Sequence, residues 1–314
     1  GRPATGLFGV PPQFRRIGGS IVQSLRDIKR RIKVVQNIEH ITRAMKMISA
    51  AKLQRAQRQV EEARPYARKI REILRDLEAV QEEFEHPLLK ERPVKRACYV
   101  VFTADQGLCG GYNTNVLHEA EFALRQDEAE VEVIAVGARA KRFFRQLGYA
   151  VAASYPGCPD KVSFQTVRPL ADRVSSDFIS GRYDAVYFVY NRFYSAVTQK
   201  PVVRRVLPVE RQEVPGPVRY RSVYHLEPNA EEVLNDLMPR YLTATIYRIF
   251  LEAKAAEHGA RVTAMDAATD NAEELLAKLT ISYNRARQAA ITEELTEIIA
   301  GADALKEEIG LKGE

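Results

Sequence analysis

Apolar residues recur in steps of three and four from the start of the regular pattern: Ile21, Leu25, Ile28, Ile32, Val35, Ile38, Ile41, Met45 and Ile48. The same beat resumes at Ala56, Val60, Ala63, Ala67, Ile70, Leu74 and Leu77. Spacing of this kind makes a heptad-like seam rather than the broad face of an ordinary surface helix. It predicts a helix over 21–84, roughly 95 Å long at 1.5 Å per residue. Pro65 removes a backbone donor and is expected to kink or break it. A second long helix is predicted from about Asn229 to Gly301. It opens after Pro228 with a capping-box spacing, Asn229 to Glu232, is bent early by Pro239, and stops at Gly301. Its seam is built of small residues, Ala253, Ala256, Ala260, Ala264, Ala268 and Ala272, then Leu275, Leu279 and Ala286, which let two helix axes approach closely.

Between these helices the period changes. Strands are predicted at Ala97–Thr103, Val131–Val136, Ala150–Ser154, Ala185–Tyr190 and Val202–Val206, and helices at about 111–126, 138–147 and 162–180. Alternation of this kind argues for a parallel or mixed sheet with helices packed on it. The expected fold is therefore a long antiparallel two-helix coiled coil with a compact α/β insert at one end. The expected boundaries are a flexible N-terminal extension over 1–20, the first coiled-coil helix over 21–90, the insert over 91–225, the second helix over 226–305 and a tail over 306–314.

Charge supports pairing of the two helices. Residues 26–58 carry ten Lys or Arg against Asp27 and Glu39, a net of +8, whereas residues 229–300 carry twelve acids against seven bases, a net of −5. Opposite signs on two elongated helices favour association, to a degree that salt screens. The whole chain, 314 residues with a formal charge of +6, is only mildly basic. Its longest aromatic-rich apolar run, AVYFVY at 185–190, is far too short to span a bilayer. Three widely spaced cysteines, Cys98, Cys109 and Cys158, suit free thiols better than a disulfide framework. Residues 1–20 are rich in Gly and Pro, contain no acid and lack the apolar core of a secretory signal. A flexible extension and a remnant of an organelle-targeting segment both fit them.

One stretch invites a chemical reading. TADQGLCGGYN, residues 103–113, follows the apolar run ACYVVF and precedes a predicted helix, the arrangement with which many nucleotide-binding domains cradle phosphate. The glycines fail both templates. A dinucleotide fingerprint needs glycine two residues after Gly107, where Cys109 stands, and no lysine follows Gly110 and Gly111 as a phosphate loop requires. The second strand ends in Gly137-Ala138-Arg139 rather than in a ribose-binding acid, and Arg139 alone keeps a phosphorylated ribose in view. Cys109 near a helix start raises the possibility of a nucleophile, with His118 the only nearby histidine, but a contact or packing thiol fits it better. The five histidines make no metal pattern, and Asp266 and Asp270, one turn apart, read as a solvated or partner-facing edge. The basic run Lys29-Arg30-Arg31 would suit a nucleic-acid scaffold, but residues 21–60 lack aromatic side chains to stack bases. No enzymatic signature, cofactor site or metal site is expected.

Three segments carry a family resemblance: ITRAMKMISAAKLQRAQ (41–57), FTADQGLCGGYNTN (102–115) and MDAATDNAEELLAKLTISYNRARQAAITEELTEIIAGADAL (265–305). In order and content they resemble the signature regions of the F-type ATP synthase gamma subunit, collinear from about Ile21 to Leu305. The resemblance implies a Rossmann-like insert between the coiled-coil helices and a non-catalytic rotor shaft. It implies a single copy inside a hexameric ring of alpha and beta subunits, standing on the epsilon subunit and the c ring, and reaching the membrane only through that ring. Proton or sodium flow would turn the shaft and drive ATP synthesis or hydrolysis at the beta subunits. By match of position, Met45, Lys46, Arg285, Arg287, Gln288 and Thr292 would meet the stator ring. The loop of Asp105, Gly107, Cys109, Gly110 and Gly111 would face a beta subunit. Residues 191–228 hold no cysteine and no redox insertion of the chloroplast kind, which favours a bacterial protein on the cytoplasmic face of the cell membrane, with an organelle inner membrane as the alternative.

Overall fold

The computed structural model describes residues 18–80, 86–210 and 229–310. Most of the predicted extension, the end of the first helix beyond Val80, and the stretch 211–228 holding the boundary at 225/226 lie outside the described residues. The elements run α1 (Gly18–Val80), a 3₁₀ turn (Pro87–Leu89), β1 (Arg96–Phe102), α2 (Tyr112–Gln126), β2 (Glu130–Val136), α3 (Ala138–Gln146), β3 (Val151–Tyr155), α4 (Phe164–Ile179), β4 (Ala185–Phe193), β5 (Gln199–Leu207) and α5 (Ala230–Gly310). They form two compact units, one from α1 up to Arg43 with α5 from Ala267, the other from Ala44 to Asp266.

In the larger unit the five strands order β3-β2-β1-β4-β5, the first four parallel and β5 antiparallel at the edge. Side chains of β1 alternate between two cores, as a strand covered on both faces must. Ala97, Tyr99 and Val101 pack with Val116, Ala120 and Leu124 of α2 and Ala140 and Phe144 of α3. Cys98, Val100 and Phe102 pack with Val167, Leu170, Val174 and Phe178 of α4, with Leu234 to Ala253 of α5, and with Ile70 and Leu74 of α1. The Phe102 ring meets Phe250 edge-on, centroids 4.9 Å apart. The predicted strands and helices of the insert are all present within a few residues of their expected ends, and β5 begins earlier than expected, at Gln199.

In the smaller unit the helices are antiparallel: Thr269 donates a 2.9 Å hydrogen bond to Thr42, while Val34 and Val35 lie with Leu275 and Leu279 around a shared groove. The seam of α1, however, differs from the predicted one by one residue. Val35, Glu39, Thr42, Ser49, Leu53 and Ala56 are buried, whereas Ile38, Ile41 and Ile48 are exposed at 46%, 58% and 57%. One residue is about 100° of helix rotation. Hydrophobicity favours the isoleucines, yet only Glu39, Thr42, Lys46 and Ser49 keep the strict alternation of three and four between Val35 and Leu53. Leu275 is also exposed, at 46%, and the half-buried seam residue is its neighbour Leu276.

Of the kink or break expected at Pro65, the break does not occur. α1 continues through Pro65, α4 through Pro169 and α5 through Pro239. All three prolines are exposed, so the carbonyl deprived of its partner in the preceding turn lies on a face that water reaches. Buried Ile70 and Leu74 fasten α1 beyond the proline. α5 opens with the expected cap: Asn229 Oδ1 accepts the Glu232 N–H at 2.8 Å, and Asn229 Nδ2 donates to the Glu232 carboxylate at 2.9 Å. It runs past Gly301 to Gly310, because a single helical glycine costs only about 1 kcal/mol and helix formers follow.

Gly137, between β2 and α3, has φ +96°, and a Cβ there would stand 2.3 Å from the Thr103 carbonyl oxygen. Gly148 has φ +81° with open space around it. Gly137→Ala is expected to destabilise the chain by roughly 3 kcal/mol or more, combining backbone strain with overpacking. Gly148→Ala should cost only about 1–2 kcal/mol of left-handed strain. Denaturant midpoints of the two variants measure the difference.

Candidate functional site

In an open sheet of this strand order, ligands bind outside the carboxyl ends of the strands, where β1 and β4 part. The loop 103–111 leaves β1 at that place, and the chain's own residues occupy it. Thr103 donates its N–H to the Val136 carbonyl at 2.8 Å, and its hydroxyl accepts the Ala140 N–H at 3.0 Å. Asp105 then turns inward. Its Oδ1 accepts the Ala138 N–H at the start of α3 at 2.8 Å, and its Oδ2 accepts the Gly157 N–H after β3 at 3.0 Å. A carboxylate at a helix N-terminus is favoured by the helix dipole, and here it satisfies amides at the start of α3 and after β3. Arg139 lies against Gly107, where a Cβ would come within 3.2 Å of its guanidinium.

The other side of the loop rests on α5. The Tyr112 hydroxyl donates to the Ala253 carbonyl at 3.1 Å, and Asn191 Nδ2 donates to the Tyr112 carbonyl at 2.8 Å. A Cβ on Gly110 would touch that of Ala264 at 3.6 Å. Cys109 is 2% exposed, in a small core with Ala104, Tyr112 and Ala256. Burial raises its thiol pKa, and Asn113 Nδ2 lies 3.3 Å from its sulfur. The His118 ring packs edge-on to Phe143, centroids 6.5 Å apart. The loop's outward residue is Leu108, 63% exposed with φ +60°, a conformation that leucine rarely adopts. Sequence reasoning passed over it because neither apolarity nor spacing singles it out; the strained backbone is visible only in three dimensions.

A charged cluster joins α1, α5 and the loop after β3. Asp160 accepts from Lys52 at 2.7 Å and lies 3.3 Å from both Lys254 Nζ and His258 Nε2. Behind it, buried Glu257 pairs with Lys254 at 3.1 Å and with Arg261 at 2.8 Å. Partial burial works to raise the Asp160 pKa, but the Lys52 and Lys254 ammonium groups prevail and bring it down to about 2. Burial, reinforced by Lys254 and Arg261, brings His258 down to about 4. His258 is thus neutral at pH 7. Arg261 lies 3.4 Å from its Nδ1, which assigns the remaining proton to Nε2, toward Asp160. This cluster had no signal in the sequence, since its members lie up to about 200 positions apart.

The residues matched to stator contacts fall into two groups. Met45 is half-buried, and Lys46 forms an ion pair with Asp266 across α1 and α5, which also accounts for one of the two aspartates in MDAATDN. Arg285, Arg287, Gln288 and Thr292 are exposed on α5, and the Thr292 hydroxyl donates to the Gln288 carbonyl at 2.9 Å. Around them Ile281, Ile291, Leu295, Ile298 and Ile299 are between 48% and 67% exposed. No cluster of His, Cys, Asp and Glu suited to a metal ion occurs among the described residues, and no helix among them is long and apolar enough to cross a membrane.

Asp105→Ala should destabilise the chain by about 2 kcal/mol or more, since two charge-assisted hydrogen bonds are lost and two amides are left open. On acidification, an unfolded His258 takes up a proton near pH 6.5 that the folded one refuses until about 4. Stability is therefore full above 6.5 and falls as the pH drops toward 4. Asp160, protonated near 3.8 unfolded and near 2 folded, continues the loss below that. His258→Gln should flatten the curve between 6.5 and 4 without abolishing the slope, because burial lowers His86 in the same direction. Thermal melts across pH 4–7 read this directly.

The model of the ATP synthase family matches residues 24–305. The ATP synthase gamma chain of Desulforamulus reducens is 47% identical over 285 residues, covering 90% of this chain and 99% of that one. The gamma chain of Moorella thermoacetica is 48% identical over 282 residues, with the same coverage. Among solved structures, a chain from the central stalk and c-ring of the Tetrahymena thermophila mitochondrial ATP synthase aligns with TM-score 0.56 and 25% identity, covering 73% of this chain and 99% of that chain. A chain of the Euglena gracilis mitochondrial ATP synthase shares the fold, with TM-score 0.64 and 17% identity over 91% of this chain and 96% of that chain. The chain belongs to the family of ATP synthase gamma chains, the non-catalytic central-stalk subunits of F-type ATP synthases.

Proposed function

We propose that the chain turns as the single shaft of a proton-translocating F-type ATP synthase. A hexameric ring of alpha and beta subunits surrounds its helices, and the epsilon subunit and c ring meet its α/β domain on the cytoplasmic face of the membrane. Residues 21–90 and 226–305 form the shaft in this reading, and 91–225 its foot. The observation that carries it is the row of exposed apolar side chains on α5, Ile281, Ile291, Leu295, Ile298 and Ile299. Large aliphatic side chains repeated along one helix favour cover by a partner. Arg285 and Arg287 stand exposed among them with no ion pair among the described residues, ready for polar contacts with a ring, as Gln288 and Thr292 are beside them. Met45 and Lys46 supply the corresponding contacts on α1. The loop of Asp105, Gly107, Cys109, Gly110 and Gly111 faces a beta subunit through Leu108, Gly110 and Gly111, with the Cys109 thiol turned inward.

Reconstitution with alpha and beta subunits tests this. Arg287→Glu should leave the melting temperature of the isolated chain within about 2 °C, as exposed substitutions do. It should lower the ATPase activity of the assembled complex severalfold. A Leu108→Cys variant should crosslink to a beta subunit, while native Cys109 reacts only after unfolding. Full activity with Arg287→Glu, together with no crosslink from Leu108→Cys, would overturn the contacts assigned here.

A further inference from the structure

The strands β4 and β5 with the facing sides of α1 and α5 border an open cleft of about 550 Å³, lined by Arg71, Arg192, Arg204 and Arg248 with Tyr190. Several arginines elsewhere in this unit are paired, among them Arg173 with Asp177 at 2.5 Å, Arg182 with Glu132 at 2.9 Å and Arg205 with Glu91 at 3.4 Å. Within the cleft the balance is different. Among the described residues only Arg248 of these four approaches a carboxylate, with Nε 3.4 Å from Glu252 Oε1; that approach makes no hydrogen bond, and Glu252 Oε2 is itself buried without a partner. The Nε atoms of Arg71 and Arg248 are buried without any hydrogen-bond partner among the described residues. Arg204 reaches the Tyr190 hydroxyl, and Arg192 is stacked over the Tyr194 ring, 5.4 Å from its centroid. Neither has an ion pair among the described residues. Burial lowers the Arg248 pKa, and repulsion from Arg204 and Arg71 adds to it against the pull of Glu252.

Four guanidinium groups against one carboxylate is an unstable balance for a folded chain. Unpaired buried donors are costly, and like charges in a partly dry cleft repel. A multiply charged oxyanion removes both costs, since it accepts several forked donors at once and neutralises most of the excess of three positive charges. A single carboxylate would leave two of them. We propose that this cleft binds an oxyanion of the phosphate class, either free inorganic phosphate or the phosphate chain of a nucleotide, held by Arg71, Arg204 and Arg248. This site is separate from the loop 103–111 and independent of the contacts assigned to the shaft.

Titration calorimetry on the full chain, at constant ionic strength, with inorganic phosphate, pyrophosphate and ADP as probes, tests the proposal. Saturable binding is expected, accompanied by a rise in melting temperature. Arg71→Gln and Arg204→Gln should weaken it about ten- to hundredfold, the loss of one or two charge-assisted bonds. Arg71→Lys, which keeps the charge and loses the fork, should fall between them and the native chain. Arg205→Gln, altered outside the cleft, should change nothing. ADP that binds more tightly than phosphate and displaces it identifies a nucleotide as the source; ADP no tighter than phosphate identifies the free ion. The proposal is overturned if chloride at equal ionic strength gives the same stabilisation, if binding survives loss of the arginines, or if an acidic peptide binds the cleft and phosphate does not.

Discussion

The close approach of α5 to the carboxyl edge of the sheet is the constraint from which the rest of the larger unit follows. Ala253, Ala255, Ala256 and Gly259 are buried, and only residues this small let the helix backbone come near enough for Tyr112 to bond to the Ala253 carbonyl. A Cβ on Gly259 would meet the hairpin between β4 and β5, at 3.1 Å from Gln199 Nε2 and 3.3 Å from the Ala196 carbonyl. Larger residues would lift α5 away and reopen the crevice between β1 and β4. With the helix in place, that crevice is closed by the protein itself. Asp105 occupies the anion position at α3, and the glycine loop becomes a bearing for α5.

Charge fastens what small residues bring together. Lys52 of α1, Asp160 after β3 and Lys254 of α5 meet in one cluster, so the two helices are tied to the sheet through a carboxylate each can reach. A half-exposed ion pair contributes little by itself. Buried Glu257, held between Lys254 and Arg261, gives the cluster an inner layer that water screens less. A shaft transmitting torque needs resistance to shear between its helices, and polar contacts of fixed geometry resist sliding where alanine faces do not.

The architecture could be read from the sequence because its periods are long and unmixed. The apolar runs ACYVVF and VEVIAV and the small-residue seam of α5 each have one packing solution. The rotational setting of α1 was harder. Two stripes compete there, one richer in isoleucine and one in step with the heptads on either side, and hydrophobicity alone favours the wrong one. At Pro65 the sequence allows a kink or a break, and the helix runs on for a related reason: a proline breaks a helix when its lost partner is buried, and exposure is a property of the fold. Of the functional side chains, the glycine loop could be rejected as a phosphate cradle from spacing. Asp105, Leu108, Asp160 and the arginine cleft depend on residues distant in the chain or on backbone angles, neither of which a single sequence displays.

The polar seam of α1 carries a further meaning. In the smaller unit Glu39 is 6% exposed and pairs with Arg43 at 2.5 Å, which also reaches Glu273 of α5 at 2.6 Å, beside the bond between Thr42 and Thr269. A helix with two apolar-capable stripes has two ways to face its partner, and an all-isoleucine seam would choose poorly between them. Polar contacts that cross the helices in only one setting, Thr42 with Thr269 and Arg43 with Glu273, make the alternative rotation costly. The helix pair gives up some of its own cohesion and gains a single angular position. In a machine that reads the orientation of its shaft, a defined zero of angle is worth more than a tighter grip.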